Sequence, residues 1–389
     1  MSLLSQLPEE KHPNGVRLLA LDGGGVRGIA SLVMLRHIMW KVTERINPGS
    51  KEPCLPVDFF ELAAGTSTGG IIGIMLFRLR MSADEACEQY KKVAEQIFSP
   101  KIWGWSISWI PGARYINNAK LAFQSARFGA EPLRQAVDDV VNEFGLDEND
   151  RQMKGEALLA HKEAGGMFLC TTVQNRGETV LMKSYQPGGA PAVHSIVNDA
   201  VRAGAKNITI GMAALATSAA PTYFPEVEWE VPRRMPLTFW DGGLLNNSPI
   251  DQLWYNRFEL VGPKEDEPDV SCLISLGTGY LRPPPLASWA DFIPGYRLLR
   301  MVGAVMSFAT NANAKGKDFS RHRSTLLSTR PKYERMVYVR LNPDLRGQEI
   351  GLDEYSKMDE LERITMDYLR GQNKYIDKVV DAICPPLPQ

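Results

Sequence analysis

Glu61-Leu62-Ala63-Ala64-Gly65-Thr66-Ser67-Thr68-Gly69-Gly70-Ile71-Ile72 is the stretch on which the fold turns. One apolar run stops at Gly65 and another begins two residues past Ser67, which predicts a strand, a sharp turn and a helix. Gly65 and Gly69 flank Ser67 with the G-x-S-x-G spacing of a nucleophile elbow, in which small neighbours let a strained turn lift a hydroxyl to a helix N-terminus. Free backbone N–H groups and the positive end of the helix dipole favour negative charge there. A glycine-rich turn that only caps a buried helix has the same appearance, so the rest of the chain must decide.

The preceding unit repeats the pattern. Val16-Arg17-Leu18-Leu19-Ala20-Leu21 reads as a strand, Asp22-Gly23-Gly24-Gly25-Val26-Arg27-Gly28 as a loop, and Ile29 to Ile46 as a helix that stops before Asn47-Pro48-Gly49. Successive strand-loop-helix units imply an α/β fold, a mostly parallel central sheet with helices on its faces. Loops at the carboxyl ends of parallel strands share one edge, so the two glycine loops can face each other. Further helices are expected over 81–97, 133–144 and 210–220, and an antiparallel pair over 166–173 and 179–185 around Asn175-Arg176-Gly177. Two more apolar runs end in glycine, at Asp241-Gly242-Gly243 and Gly277-Thr278-Gly279. A late strand over 336–341 and mostly helix over 357–384 complete the reading. With no clean boundary, residues 15–384 are expected to form a single domain, with a motif-bearing core over 15–280, a proline-rich, helical and basic part over 281–384, and a polar leader over 1–14.

The 389 residues carry a formal net charge of -1, which gives no whole-chain reason to expect nucleic acid as a partner. Five scattered cysteines without a C-x-x-C pair suggest neither a disulfide framework nor a zinc site, and fit a reducing, cytoplasmic location. The first fifteen residues hold Glu9, Glu10 and Lys11 where a signal peptide would need an apolar core. No run approaches the ~20 apolar residues of a membrane span, so any membrane is met from the side, as a peripheral contact. Two segments bear on that contact. Residues 102–112 crowd three tryptophans, which suit either a membrane-contact lid or a core between helices. Residues 315–340 hold eight basic side chains against two acids, an attraction for anionic headgroups or an ordinary solvated face.

An alkoxide formed at Ser67 needs a base, an oxyanion hole and an acyl pocket. Gly23, Gly24 and Gly25 suit the second role, because residues without Cβ let consecutive N–H groups point into a small cavity, and Arg27 adds a positive charge nearby. A phosphate cradle is the other reading of this loop, but no G-K-[ST] closes it. For the base, a hydrolase elbow normally uses histidine. Of His12, His37, His161, His194 and His322, none lies in a recognisable strand-end loop, and His322 sits among Ser320, Arg321 and Arg323 as a solvated ring would. Asp241 is better placed, between Trp240 and the flexible Gly242-Gly243; an ordinary aspartate is a feeble base, so burial must raise its pKa.

Four blocks now stand in order: Asp22-Gly23-Gly24-Gly25-Val26-Arg27-Gly28, Gly65-Thr66-Ser67-Thr68-Gly69, Ala216-Thr217-Ser218-Ala219-Ala220-Pro221-Thr222-Tyr223-Phe224 and Asp241-Gly242-Gly243. Together they resemble the patatin-like phospholipases. The resemblance implies a three-layer α/β/α fold and a Ser67–Asp241 dyad without a catalytic histidine. It also implies an oxyanion hole from Gly23 to Gly25, supported by Arg27, Gly28, Gly65, Gly69, Gly242 and Gly243, and neither metal nor other cofactor. The implied activity is hydrolysis of acyl esters of phospholipids or other glycerolipids through an acyl-serine. Alternatives are a triacylglycerol lipase or general esterase on the same dyad, a lipid-binding module without turnover, and nucleotide binding by the glycine loops. Headgroup, acyl position and oligomeric state are not written in these motifs.

Overall fold

The computed structural model describes residues 15–99, 101–102, 105–106, 128–186, 196–261, 267–280, 312–345, 347–348 and 350–384. Its strands are β1 (Val16–Leu21), β2 (Leu62–Thr66), β3 (Lys101–Ile102), β4 (Trp105–Ser106), β5 (Met167–Val173), β6 (Glu178–Lys183), β7 (Val227–Trp229), β8 (Leu237–Asp241), β9 (Val270–Leu276) and β10 (Val337–Leu341). The α-helices are α1 (Gly28–Ile46), α2 (Thr68–Gly73), α3 (Ala83–Phe98), α4 (Glu131–Phe144), α5 (Glu148–Met153), α6 (Ile196–Arg202), α7 (Ile210–Thr217), α8 (Gly243–Asn246), α9 (Ile250–Asn256), α10 (Ala312–Thr329), α11 (Met358–Arg370) and α12 (Asn373–Ile383). A 3-10 turn precedes α1 at Gly25–Arg27, and a π-turn, Ile74–Arg78, extends α2.

Eight strands form one sheet in the order β10-β9-β1-β2-β5-β8-β7, with β6 also on β5. The five from β10 to β5 are parallel, as the strand-loop-helix repeats predict. Side chains alternate between the two faces with the strand period. Leu19, Leu21 and Ala63 enter a core with α1, α2 and α3, while Leu18, Ala20, Leu62 and Ala64 enter another with Ile250, Leu253, Trp254 and Phe319. Helices thus cover both faces, the three-layer α/β arrangement expected.

The antiparallel strands decide where the chemistry lies. β6 follows one edge of β5 from Phe168↔Lys183 to Val173↔Glu178, so the other edge is shared. β2 holds that edge up to Thr66↔Cys170, and β8 takes over at Thr171↔Asp241. β8 therefore stands beyond the end of β2, running the opposite way, and its last residue meets the turn after Thr66.

The C-terminal helices are tied to the first ones. Arg17 pairs with Glu61 and donates to the Ile383 carbonyl at 2.9 Å, while Glu362 accepts from Arg36 at 2.6 Å and Lys91 at 2.7 Å. Residues 315–340 run through a helix, a turn and a strand, and three of their cations are engaged by carboxylates outside the segment. Arg340 turns inward onto the buried Asp22, Lys315 pairs with Asp251 at 2.9 Å, and Arg330 pairs with Glu267 at 2.7 Å. The leader 1–14, the proline-rich stretch and helix expected over 281–308, and all but the backbone of β3 and β4 in the tryptophan segment lie outside the described residues.

Candidate active site

Ser67 is the single residue between β2 and α2, with φ 54° and ψ -125°. A side-chain-bearing residue in that left-handed region is strained, at a cost of order 1–3 kcal/mol, and persists only where its surroundings hold it. Gly65 and Gly69 are why the turn can close. A Cβ on Gly65 would collide with the Gly69 carbonyl, and one on Gly69 with the Leu21 carbonyl. The Ser67 N–H donates to Thr217 Oγ1 at 2.9 Å, and that hydroxyl in turn donates to the Cys170 carbonyl at 2.7 Å.

The Ser67 hydroxyl donates to Asp241 Oδ2 at 2.7 Å. Asp241 Oδ1 accepts the Gly243 N–H at 2.6 Å, and the Asp241 N–H donates to the Ala219 carbonyl at 2.9 Å. Asp241 is 5% exposed. Burial pushes its carboxyl up to about 6, against the Ser67 and Gly243 hydrogen bonds, which hold it down. Gly242 fits because a Cβ there would strike the Cys170 carbonyl. No described histidine touches Ser67 or Asp241. His161 faces Asp147 at 3.3 Å, and the exposed His322 ring packs on Trp254 and Phe319; His12 and His194 lie outside the described residues.

The glycine loop lies against the same turn, with room for no Cβ on Gly23 beside Asn247 and Ser67. Its three amides are not equivalent. The Gly23 N–H is already given to the Asn247 carbonyl at 2.9 Å, so this amide is not directed at an oxyanion as the sequence suggested. The Gly24 N–H donates to Thr68 Oγ1 at 3.2 Å. Gly25, at φ +56°, opens the 3-10 turn, where an N–H has no acceptor within the turn. Arg27 is half-buried, donates weakly to the Gly24 carbonyl at 3.4 Å, and has no carboxylate partner among the described residues. Burial lowers its pKa, opposed by nearby Tyr223. Gly28 begins α1, close against the Tyr90 hydroxyl.

Sequence reading missed the side chains that hold this constellation. Tyr90, on the apolar face of α3, donates to the Gly25 carbonyl at 2.6 Å, and burial raises its pKa so that the donor stays protonated. Thr278 donates to the Gly23 carbonyl at 3.0 Å. Thr217 and Ala219 stand in the quoted block 216–224, and their spacing carries a signal: one short segment holds Ser67 by a side chain and Asp241 by a carbonyl. Thr217→Val, nearly isosteric, leaves the half-buried Ser67 N–H without its acceptor, worth ~1 kcal/mol. We expect kcat on a water-soluble ester to fall about tenfold or more with KM nearly unchanged, and Thr217→Ser to restore it. Equal kcat in both variants would remove Thr217 from the positioning of Ser67.

Among the described residues one group has metal-ligand spacing, Asp147, Asp150 and His161. Arg78, fully buried in the π-turn, already grips both Asp150 oxygens at 2.7 and 2.8 Å, so the group is a neutralised ion pair rather than an open site.

A family model described as patatin-like phospholipase matches residues 19–254. The chain belongs to the patatin-like phospholipase family. All four sequence blocks fall inside that match. Calcium-independent phospholipase A2-gamma of Rattus norvegicus is 28% identical over 95% of this patatin-like chain and 40% of its own length. Patatin-like protein 4 of Arabidopsis thaliana is 27% identical over 69% of this chain and 61% of its own length. The chain thus spans well under half of the mammalian relatives it matches. Among solved structures, human GIVD cytosolic phospholipase A2 is 8% identical over 98% of this chain and 63% of that one, with a TM-score of 0.41, too low to support an argument. No helix among the described residues is long and apolar enough to cross a membrane.

Proposed function

We propose that this patatin-like chain is a lipid acyl hydrolase of phospholipase A type that works through a Ser67–Asp241 dyad. The observation that carries the reading is the 2.7 Å hydrogen bond from the strained Ser67 to a buried carboxylate whose pKa lies at about 6. A base of that pKa is ionised at neutral pH yet basic enough to accept a proton as the serine attacks. Ser67 Oγ adds to the ester carbonyl while Asp241 Oδ2 takes its proton. The Gly25 N–H receives the oxyanion, joined by the Gly24 N–H once it leaves Thr68 Oγ1, with the uncompensated Arg27 close by. Asp241 then returns the proton to the departing alcohol, leaving acyl-Ser67. A water, deprotonated by Asp241, adds to that acyl carbon, and collapse of the adduct frees the fatty acid and restores the serine.

No step needs a histidine or a metal, in keeping with the name of the calcium-independent phospholipase A2-gamma relatives. Substrate would be drawn from a phospholipid or neutral glycerolipid surface during transient contact. Residues 15–384 read as a single catalytic unit, supported by β9 and β10 lying in the sheet that carries Ser67. The test is labelling by a fluorophosphonate probe together with mass spectrometry of products from a mixed lipid extract. Expected are a covalent adduct on Ser67 and release of free fatty acid with lysophospholipid. A protein that leaves both probe and lipids untouched is a binding module instead, and release from triacylglycerol alone would make it a neutral lipase.

A further inference from the structure

The geometry points to a lipid-docking surface at the β7–β8 turn, Pro232-Arg233-Arg234-Met235-Pro236, which stands over the Ser67–Asp241 pair; we propose that it seats the protein on a phospholipid bilayer. The inference rests on the lipid-hydrolase reading above for its choice of partner, and goes beyond it in naming the contact.

The position follows from register. Asp241 ends β8 at the elbow, and β8 runs away from the elbow toward its own start. Leu237, four residues before Asp241, is therefore ~13 Å farther out at ~3.3 Å per residue, and the turn lies beyond it. The turn overhangs the carboxyl edge from which Ser67 opens. It is also firmly based: Trp229, Val231 and Leu237 are buried beneath it, and the α6–α7 loop lies against Pro232 at Gly204.

Its chemistry is that of an interfacial tip. Met235 is 81% exposed, with a proline after it and two arginines before it. A bilayer interface would cover the apolar area that this side chain leaves in water. Arg233 and Arg234 are exposed and have no ion-pair partner among the described residues, and Arg233 is held at φ 60°. Guanidinium groups with long apolar stems can bond lipid phosphate while a neighbouring side chain enters the acyl boundary. Two more exposed cations flank the tip. Arg176 is in the β5–β6 turn, which the Gln174 N–H ties to the Thr238 carbonyl at 2.9 Å, and Lys206 is in the loop against Pro232. Glu178 and Glu228 lie in the strands, while Glu230 opens the connection opposite Pro236, so residues 230–236 carry two positive charges against one negative.

The test compares the wild-type chain with Met235→Ser and with the double variant Arg233→Ser/Arg234→Ser. Sedimentation with phosphatidylcholine vesicles, with and without phosphatidylserine, reads binding; a water-soluble nitrophenyl ester reads the dyad without a membrane. Binding of Met235→Ser is expected to weaken about tenfold. The double variant should lose a similar factor and most of its response to phosphatidylserine and salt. Both should keep soluble-ester turnover within about twofold, since neither side chain reaches Ser67. A wild-type chain that stays in the supernatant when vesicles are pelleted, or variants that bind like it, would overturn the proposal. So would a parallel loss of soluble-ester turnover, which would make the turn a structural support of Asp241. Ser67→Ala should bind vesicles like the wild type, and intact vesicle binding without any ester turnover would sink the proposed reaction while leaving the docking surface standing.

Discussion

Replacing Ser67 by alanine is expected to lower acyl-ester hydrolysis on the order of 10⁴-fold or more, because no other group is placed to form the acyl intermediate. Alanine is no worse than serine at φ 54°, and the Ser67 N–H bond to Thr217 does not involve the lost hydroxyl. The fold should therefore survive, with a melting temperature near that of the wild type. The effect on Asp241 supplies an independent check. Its Oδ2 loses the donor that helps to hold the carboxyl down, so its pKa should rise further in the variant, readable by NMR titration. Turnover that persists in Ser67→Ala, with the carboxyl unmoved, would break the link between the two residues.

Asp241→Asn should cost on the order of 10³–10⁴-fold in kcat. The amide oxygen can still accept from Gly243, but the NH2 group then faces Ser67 as a donor and cannot take its proton. The wild-type rate should follow the ionised fraction of Asp241. It should be level above about 6 and fall roughly tenfold per pH unit below, provided the protein stays folded. Stability moves in the opposite sense. The folded-state pKa is raised above the unfolded value of ~3.9, so the protonated form favours folding at low pH. That contribution is lost as pH climbs through about 6, where a buried charge replaces a neutral acid. Asp241→Asn carries no such charge and should melt no lower than the wild type at pH 7. A pH profile unchanged in the variant, or governed by His322, would exclude Asp241 as the base.

Much of this was legible from one dimension. The strand-turn-helix units at Gly23–Gly25 and Ser67 predict parallel strands with both loops on one edge, and the sheet has them so. The antiparallel pair around Asn175-Arg176-Gly177 appears as β5 and β6 within a residue or two of its expected limits. The helix expected over 210–220 stops at Thr217, because Ser218 to Tyr223 turns to offer carbonyls to Asp241 and to its own loop. Equivalence of the three loop glycines was a limit of composition: all look alike as letters, and only their neighbours, the Asn247 carbonyl for Gly23 and the Thr68 hydroxyl for Gly24, tell them apart. The +6 of the stretch 315–340 left two readings open for the same reason, since a sum of charges contains no direction and Arg340 turns inward onto Asp22.

The sequence by itself determined the fold class and the residue types of the site, because both follow from local rules: apolar periodicity, glycine where Cβ cannot fit, and serine at a strand-helix junction. Tertiary structure alone decided that Asp241 lies 2.7 Å from Ser67, that its carboxyl is buried enough to reach about 6, and that a hairpin with Met235 at its tip overhangs them. Those facts depend on β8 entering the sheet antiparallel in the space beyond β2. Strand pairing is set by contacts between residues far apart in the chain, and no local pattern records which strand will occupy that space.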